Sequence, residues 1–358
     1  MDQMDNSEGT VPNNFPLPVI HRIPRLNTRR RNVSDLISAV TAVQSAVDRS
    51  VVIESGTGQF YEIGRKIGNA IFGYVVYAKR IEATAMTVGA EILFVRTEED
   101  IAIKVSTKRE YRRLTGRTEE DPVAEISALQ FLGNENQNVI GQLECCEDDD
   151  NIYLFMRCCP GGELFGFIAE CGTFDESRAR GMMRQLLNAV QHLQNLGIGH
   201  RDLSLENILF DEVNERFIVI DFGMCKRCHR TAASIANPPA VIDASCYYPL
   251  AGLPACGKRN YMAPEVHMEG SINPMLCDIW ALGIILFIAL TGIPPVDVAL
   301  ASDERYRMIA QGQLREMVMQ WGMEMSDEVL DLIQCILRPD PNQRLTISQI
   351  LAHPWMLG

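Results

Sequence analysis

The stretch His200-Arg201-Asp202-Leu203-Ser204-Leu205-Glu206-Asn207-Ile208-Leu209 sets a carboxylate and a carboxamide five residues apart. Such a pair can orient a hydroxyl and hold Mg2+, a cation that takes oxygen ligands and keeps several waters. Nineteen residues after Asp202, the apolar run Ile218-Val219-Ile220 delivers a second carboxylate in Asp221-Phe222-Gly223. These residue types suit phosphoryl transfer, in which a protein cradles phosphates, neutralises charge and orients the nucleophile.

The other requirements can be sought upstream. Ile67-Gly68-Asn69-Ala70-Ile71-Phe72-Gly73-Tyr74-Val75 lies between two strand patterns. Its small residues would let backbone N–H groups approach phosphates, although such glycines also mark ordinary hairpins. Ile101-Ala102-Ile103-Lys104 ends an apolar strand on a lysine, and Glu125 follows 21 residues later in a helical pattern. A helix glutamate can hold such a lysine on phosphates; a lone strand-end lysine is otherwise a surface residue.

These groups need a frame. From Gln59 to Met156 the pattern is strand-like, broken at Gly73, Gly89 and Asp148-Asp149-Asp150, with one helix over Val123 to Leu132. From Gly162 to Gly358 helical patterns dominate, with caps such as Ser326-Asp327. A small β lobe followed by a larger helical lobe predicts an α+β, bilobal architecture over residues 59–358. Residues 1–58 read as a disordered arm, with a short amphipathic helix (Leu36, Val40, Val43, Val47) behind Ser34. No internal repeat is visible.

Bulk properties narrow the function. The net charge of −13 falls wholly on residues 59–358, with 27 basic against 40 acidic side chains, which disfavours nucleic acid and favours basic peptides. The ten N-terminal residues lack an apolar run, so no signal peptide is expected, and Ile279 to Leu290 is too short to span a bilayer and predicts a buried helix. Eleven cysteines without framework spacing predict reduced thiols and a cytoplasmic location, with the nucleus as alternative.

Taken together, the chain resembles the eukaryotic protein kinase superfamily from about Tyr61 to Trp355. Met262-Ala263-Pro264-Glu265 closes what would be the activation segment, Asp278-Ile279-Trp280 opens the large central helix, and Arg344 is the expected partner of Glu265. The resemblance implies ATP and Mg2+ as cofactors. It makes Asp202 the catalytic base, Asn207 and Asp221 the metal ligands, and Lys104, supported by Glu125, the phosphate cation. Ile67, Gly68 and Gly73 belong to the glycine loop, whose usual middle glycine is here Ala70. Val75, Ala102 and Leu209 would sandwich adenine, Met156 is the gatekeeper, Arg157 to Cys159 is the hinge, and His200 is a packing residue. The ending Arg344-Leu345-Thr346 through His353-Pro354-Trp355 is similar to that of calcium/calmodulin-dependent and related basophilic serine/threonine kinases. The sequence ends there without their autoinhibitory tail, so calcium regulation is not expected. The catalytic loop lacks the Arg/Ala pattern of tyrosine kinases.

Finer expectations follow from the same resemblance. Glu163 and Glu206 occupy positions that meet substrate arginines, the plainer roles being ribose contact and a surface acid. Arg201 would dock a phosphate on the segment Asp221 to Glu265, which holds Thr231, Ser234, Ser245, Tyr247 and Tyr248. That segment is expected to order on phosphorylation, with an upstream kinase as partner; the alternative is a permanently ordered insert. Arg25-Leu26-Asn27-Thr28 and Arg31-Asn32-Val33-Ser34 read as self-phosphorylation motifs. Most serine/threonine kinases have a lysine at the position of Ser204 and a threonine at that of Lys258. An exchange of roles is expected, against two independent drifts with Lys258 facing solvent.

Other features carry weaker signals. Cys225-Lys226-Arg227-Cys228-His229, with Cys246 and Cys256, could be a zinc set or a redox pair whose thiols the neighbouring cations would acidify, but ordinary free thiols are the leading reading. Asp148–Asp150 reads as a solvated turn and Arg29-Arg30-Arg31 as a solvated linker. A pseudokinase scaffold, motivated by Ala70, Ser204 and Lys258, and a small-molecule kinase are the competing functions. The retained metal and phosphate residues argue against the first, and the Ala263-Pro264-Glu265 segment with Arg344 against the second.

Overall fold

The computed structural model describes residues 51–358 apart from 56, 89, 90 and 213. The Ser34 helix, Arg29–Arg31 and the Thr28 and Ser34 motifs lie outside the described residues. The described residues include some on the N-terminal side of the expected boundary at 58. Val51-Val52-Ile53 is β-branched, and strand β1 (Val51–Glu54) pairs antiparallel with β2 (Phe60–Ala70). Two compact units follow, one covering 51–135 and 140–160 and the other 136–139 and 161–358.

The first unit is an antiparallel sheet in the order β1-β2-β3-β4-β6-β5. Its remaining strands are β3 (Gly73–Val88), β4 (Glu91–Thr107), β5 (Gln142–Glu147) and β6 (Asn151–Arg157). Period-two alternation sends Val76, Ala78, Ile101, Ile103, Val105 and Phe155 into one apolar core. The turn at Asp148 forms as read: its carboxylate accepts from the N–H groups of Asp150 (2.8 Å) and Asn151 (2.7 Å).

Helix α2 (Pro122–Leu132) is capped by Asp121, which accepts from Val123 N. It is not the only helix of this unit. Helix α1 (Lys108–Leu114) precedes it, capped by Thr107, which accepts from Glu110 N. No residue of α1 is buried, so the sequence carries no apolar stripe to announce it.

The second unit is helical. Helices α3 (Leu164–Cys171) and α4 (Glu176–Asn195) lead to β7 (Ile198–Gly199) and to the hairpin of β8 (Ile208–Asp211) and β9 (Arg216–Val219). Strand β10 (Lys226–Arg227) pairs with β7, helix α5 (Ala232–Ala236) follows, and β11 (Leu250–Ala251) pairs with β12 (Ser271–Ile272). Helix α6 (Pro274–Thr291) starts four residues before Asp278, where Asn273 caps Met275 N. It is long and apolar enough to cross a membrane, but 83% of it is buried inside the protein, as a core helix should be. Around it stand α7 (Glu304–Ala310), α8 (Leu314–Gln320), α9 (Asp327–Ile336), α10 (Ile347–Leu351) and α11 (Pro354–Leu357). Ser326 caps α9, as its sequence promised.

Candidate active site

The loop after β7 owes its shape to one buried carboxylate. Asp278, 1% exposed, accepts from His200 N (2.7 Å) and Arg201 N (2.9 Å). It thereby fixes Arg201 at φ 70°, a left-handed conformation that costs an ordinary residue about 1–3 kcal/mol. Burial pushes the Asp278 carboxyl up to about 6, opposed by those donors and by the Arg201 charge. His200 is fully buried. Its Nδ1 accepts from Asp202 N (3.2 Å), so Nε2 carries the proton and donates to Ile220 O (2.9 Å). The ring is a strut, in keeping with a packing role.

Asp202 is held from several directions. The Asn207 amide donates to its carboxylate (2.7 Å) and its carbonyl (2.8 Å), and Lys258 N donates to Oδ1 (3.1 Å). With both amide hydrogens used on Asp202, the Asn207 carboxamide presents its oxygen elsewhere as a hard donor. Ile220 N donates to Asn207 O (3.0 Å), so Asp221 leaves a strand end pinned at both main-chain groups, with φ 64°. Asn207 and Asp221 thus supply the oxygen donors that Mg2+ prefers.

Lys258 does not face solvent alone. Its ammonium donates to Ser204 Oγ (2.9 Å) and lies 3.5 Å from Asp202 Oδ2, while Ser204 is fully buried. Gly257 makes the approach possible. At φ +94°, a Cβ there would stand 2.7 Å from Arg201 O and 3.3 Å from Asp202 Oδ1.

Elsewhere in this unit Glu163 is the N-cap residue of α3 and bridges by backbone to Leu209 on β8. Glu206, in the turn Leu205–Asn207, has a buried Oε2 with no hydrogen-bond partner among the described residues. It lies beside Tyr261, whose hydroxyl pKa is raised by burial and by the Glu206 charge. The Glu265–Arg344 pair forms as a fork of two 2.6 Å bonds, with the arginine side chain fully buried.

The sheet unit carries its own share. Lys104 donates to Glu125 (2.7 Å), and Glu120 lies 3.7 Å away, all three buried. Glu120 was missed because a glutamate just before a helix cap carries no sequence signal. Cross-strand pairs Val75 with Lys104 and Ala102 with Met156 put Val75, Ala102, Lys104 and Met156 on one sheet face. Cys159 follows the end of β6, where Cys158 N donates to Asp100 O (3.1 Å).

The glycine loop lies between β2 and β3, as a two-residue hairpin in which Ala70 pairs with Gly73. A Cβ on Gly73 would lie 2.0 Å from Val105 O, so close strand packing already demands this glycine. Gly68 meets no such constraint, and Ile67 and Ile71 are exposed. Phe72 is buried edge-on against Tyr111.

The segment after Asp221 is held by contacts of its own. Arg201 donates to the carbonyls of Met224 (3.1 Å) and Pro254 (2.7 Å). Thr231 caps α5 by accepting from Ser234 N, and the buried Ser234 hydroxyl lies 2.8 Å from Cys246 O and 3.0 Å from Thr231 O. Ser245 is exposed and bonded to Asp243 (2.5 Å), and Tyr247 is buried with its hydroxyl donating to Asn195 O (3.1 Å). The acidified-thiol reading of Cys225 and Cys228 fails: both are buried, and burial pushes Cys228 up to about 12. Among the described residues no group of His, Cys, Asp and Glu side chains could hold a metal ion such as zinc.

Comparison with known proteins agrees with this construction. The family described as protein kinase domain matches residues 61–356. CBL-interacting protein kinase 31 of Oryza sativa subsp. japonica is 32% identical over 301 residues, covering 82% of this chain and 57% of that protein. A probable myosin light chain kinase of Dictyostelium discoideum is 34% identical over 298 residues, covering 83% and 54%. Serine/threonine-protein kinase 33 of Mus musculus is 28% identical over 312 residues, covering 85% and 56%. The chain spans about half the length of the curated relatives it matches.

Proposed function

Because this chain belongs to the protein kinase family, in its serine/threonine branch, we propose that it transfers the γ-phosphoryl group of ATP to serine or threonine hydroxyls of protein substrates. The observation that carries the reading is the Asp202 carboxylate, fixed by Asn207 and Lys258 on a loop held by Asp278. The acceptor hydroxyl oxygen bonds to phosphorus, the bond to the bridging oxygen of ADP breaks, and the hydroxyl proton passes to Asp202. Asn207 and Asp221 would hold Mg2+, which neutralises phosphate charge when bound. Lys104, steadied by Glu125, would meet the α- and β-phosphates. Val75, Ala102, Met156 and Leu209 would offer apolar contact to adenine. The intact set of charged groups favours turnover over a scaffold role.

Substrates would be basic before the acceptor. The support is the Glu206 carboxylate, hydrogen-bonded to Tyr261 but with a buried Oε2 left over that can accept from an arginine, on a chain of net charge −13. The cytoplasm, with the nucleus as alternative, is the proposed location.

Radiolabelled ATP with Mg2+ and a peptide library tests the reading. Label should enter serine and threonine, and Asp202→Asn should lower it by about 10²-fold or more. Equal labelling by the two enzymes would overturn it. Glu206→Ala should cost roughly tenfold in kcat/KM on arginine-containing peptides. Equal use of arginine-containing and acidic peptides by the unaltered enzyme would remove the substrate preference.

A further inference from the structure

We propose that Lys258 is the cation that meets the transferring phosphoryl group, with Ser204 as the buried hydroxyl that aims it. This rests on the phosphotransferase reading above and extends it to one more catalytic residue.

The geometry brackets one carboxylate with one residue. Lys258 N reaches Asp202 Oδ1 at 3.1 Å, and its ammonium stands 3.5 Å from Oδ2. A lysine held only to neutralise Asp202 would sit closer, at the 2.7–2.9 Å of a charge-assisted bond, as Lys104 does on Glu125 at 2.7 Å. Lys258 instead makes its short contact, 2.9 Å, to the neutral Ser204 hydroxyl.

Ser204 is fully buried, and its hydroxyl accepts from the ammonium at the end of a flexible four-carbon stem, which gives that stem a direction. An ammonium has three N–H groups. One points to Ser204, one toward Asp202, and the third is open to a ligand, since the Lys258 side chain is 34% exposed. The carboxylate that would take the hydroxyl proton and a cation with a free donor therefore lie 3.5 Å apart. Negative charge on phosphoryl oxygens would be met there by a preorganised donor, the kind of contact that acts on the transition state.

The backbone at Gly257 supports the assignment. Its φ of +94°, at a place where an added Cβ would stand only 2.7 Å from Arg201 O, brings the Lys258 main chain onto Asp202. Any residue with a Cβ at 257 would push Lys258 away from the reacting carboxylate.

Four variants test this, read by steady-state kinetics, ligand affinity and melting temperature, with Ser204→Lys as the single-site partner of the double variant. Lys258→Met keeps the stem and loses the charge, and Lys258→Arg keeps the charge. The double variant Ser204→Lys, Lys258→Thr trades the two groups. Lys258→Met should lower kcat by about 10²-fold with an ATP KM within about twofold of the unaltered enzyme. Its affinity for Mg2+–ADP with aluminium fluoride, a mimic of the transferring group, should fall by a similar factor while its ADP affinity holds. Lys258→Arg should retain most of the rate, and the double variant should exceed Lys258→Met and Ser204→Lys. If Lys258→Met keeps its rate, the proposal is overturned while the phosphotransferase reading stands. Loss of ADP affinity and melting temperature in step with kcat would overturn it too, by making Lys258 a structural prop. An unaltered enzyme that labels no peptide would overturn both readings together.

Discussion

The catalytic loop and the stretch from Met224 to Pro254 meet at Arg201, yet they are held in opposite ways. The loop hangs chiefly on one point: the buried Asp278 carboxylate takes the two backbone N–H groups of His200 and Arg201. The later stretch hangs on many small ones. Cys228, Ala244, Cys246, Tyr247, Leu250 and Met275 form a small apolar cluster. Gln191 donates to Ile242 O (2.8 Å), Asn273 to Ala244 O (2.7 Å), and Cys228 N to Gly197 O (2.7 Å). One construction is precise and fragile; the other is distributed and tolerant. Substitutions at a single carboxylate should therefore outweigh any single change in the distributed stretch.

Asp278→Ala is the sharpest test. It leaves two backbone N–H groups without an acceptor, costing roughly 2–6 kcal/mol of stability at about 1–3 kcal/mol each. Misplacement of Asp202 should lower kcat by about 10²-fold or more. Calorimetry and steady-state kinetics measure both. An Asp278→Ala protein with unchanged melting temperature would mean that the loop does not depend on this carboxylate.

The pH dependence comes next. Burial holds the Asp278 carboxyl at about 6. Below that value it takes up a proton and is a poorer acceptor for two N–H groups, so kcat should fall by roughly tenfold per unit as pH drops through it. Stability has the opposite sign. An unfolded aspartate titrates near ~3.9, so from about pH 6 down to about 4 the folded chain binds the extra proton, and this group adds stability as pH falls. Asp278→Asn should flatten both limbs at a lower overall rate. Coincident kcat–pH profiles for the two proteins would assign the limb to another group.

What could be read in advance follows the same division. Asp202, Asn207 and Asp221 were legible because their chemistry fixes their spacing on a short loop. Helix α2 and the Ser326 cap were legible because caps are local. Asp278 was read only as the start of a helix; its position before a 12-residue apolar run was the signal that something must satisfy a buried charge. Helix α1, Glu120 and the Gly73 contact with Val105 depend on partners distant in sequence or on no apolar stripe at all. That Thr231 caps α5 and that Ser234 faces two carbonyls was not legible, because a cap and a modifiable side chain look alike in one dimension.

A charge introduced into the distributed stretch should do more than deletion there and less than loss of Asp278. Ser234 is 7% exposed and its hydroxyl faces two carbonyl oxygens. Ser234→Glu would bury an anion against them, at about 2–4 kcal/mol, and should lower kcat severalfold. Ser234→Ala should cost about 1 kcal/mol with kcat nearly unchanged. Stimulation by Ser234→Glu would show that the stretch waits for a phosphate after all.

The smallest expected effect is the response to phosphatase. Both hydrogen-bonding arms of the Arg201 guanidinium already hold carbonyls, at Met224 and at Pro254, on either side of the apolar cluster. A phosphate docking there would have to displace two charge-assisted hydrogen bonds, each worth roughly 1.5–3 kcal/mol, before adding its own. The distributed contacts leave little further ordering for it to supply. Dephosphorylated and untreated enzyme should therefore agree in kcat within about twofold. Arg201→Ala should lower kcat by about tenfold in both preparations alike, since carbonyls and not phosphate are what it releases. A large loss of kcat on dephosphorylation, absent in the Arg201→Ala protein, would restore Arg201 as a phosphate dock and make the carbonyl contacts one state of two.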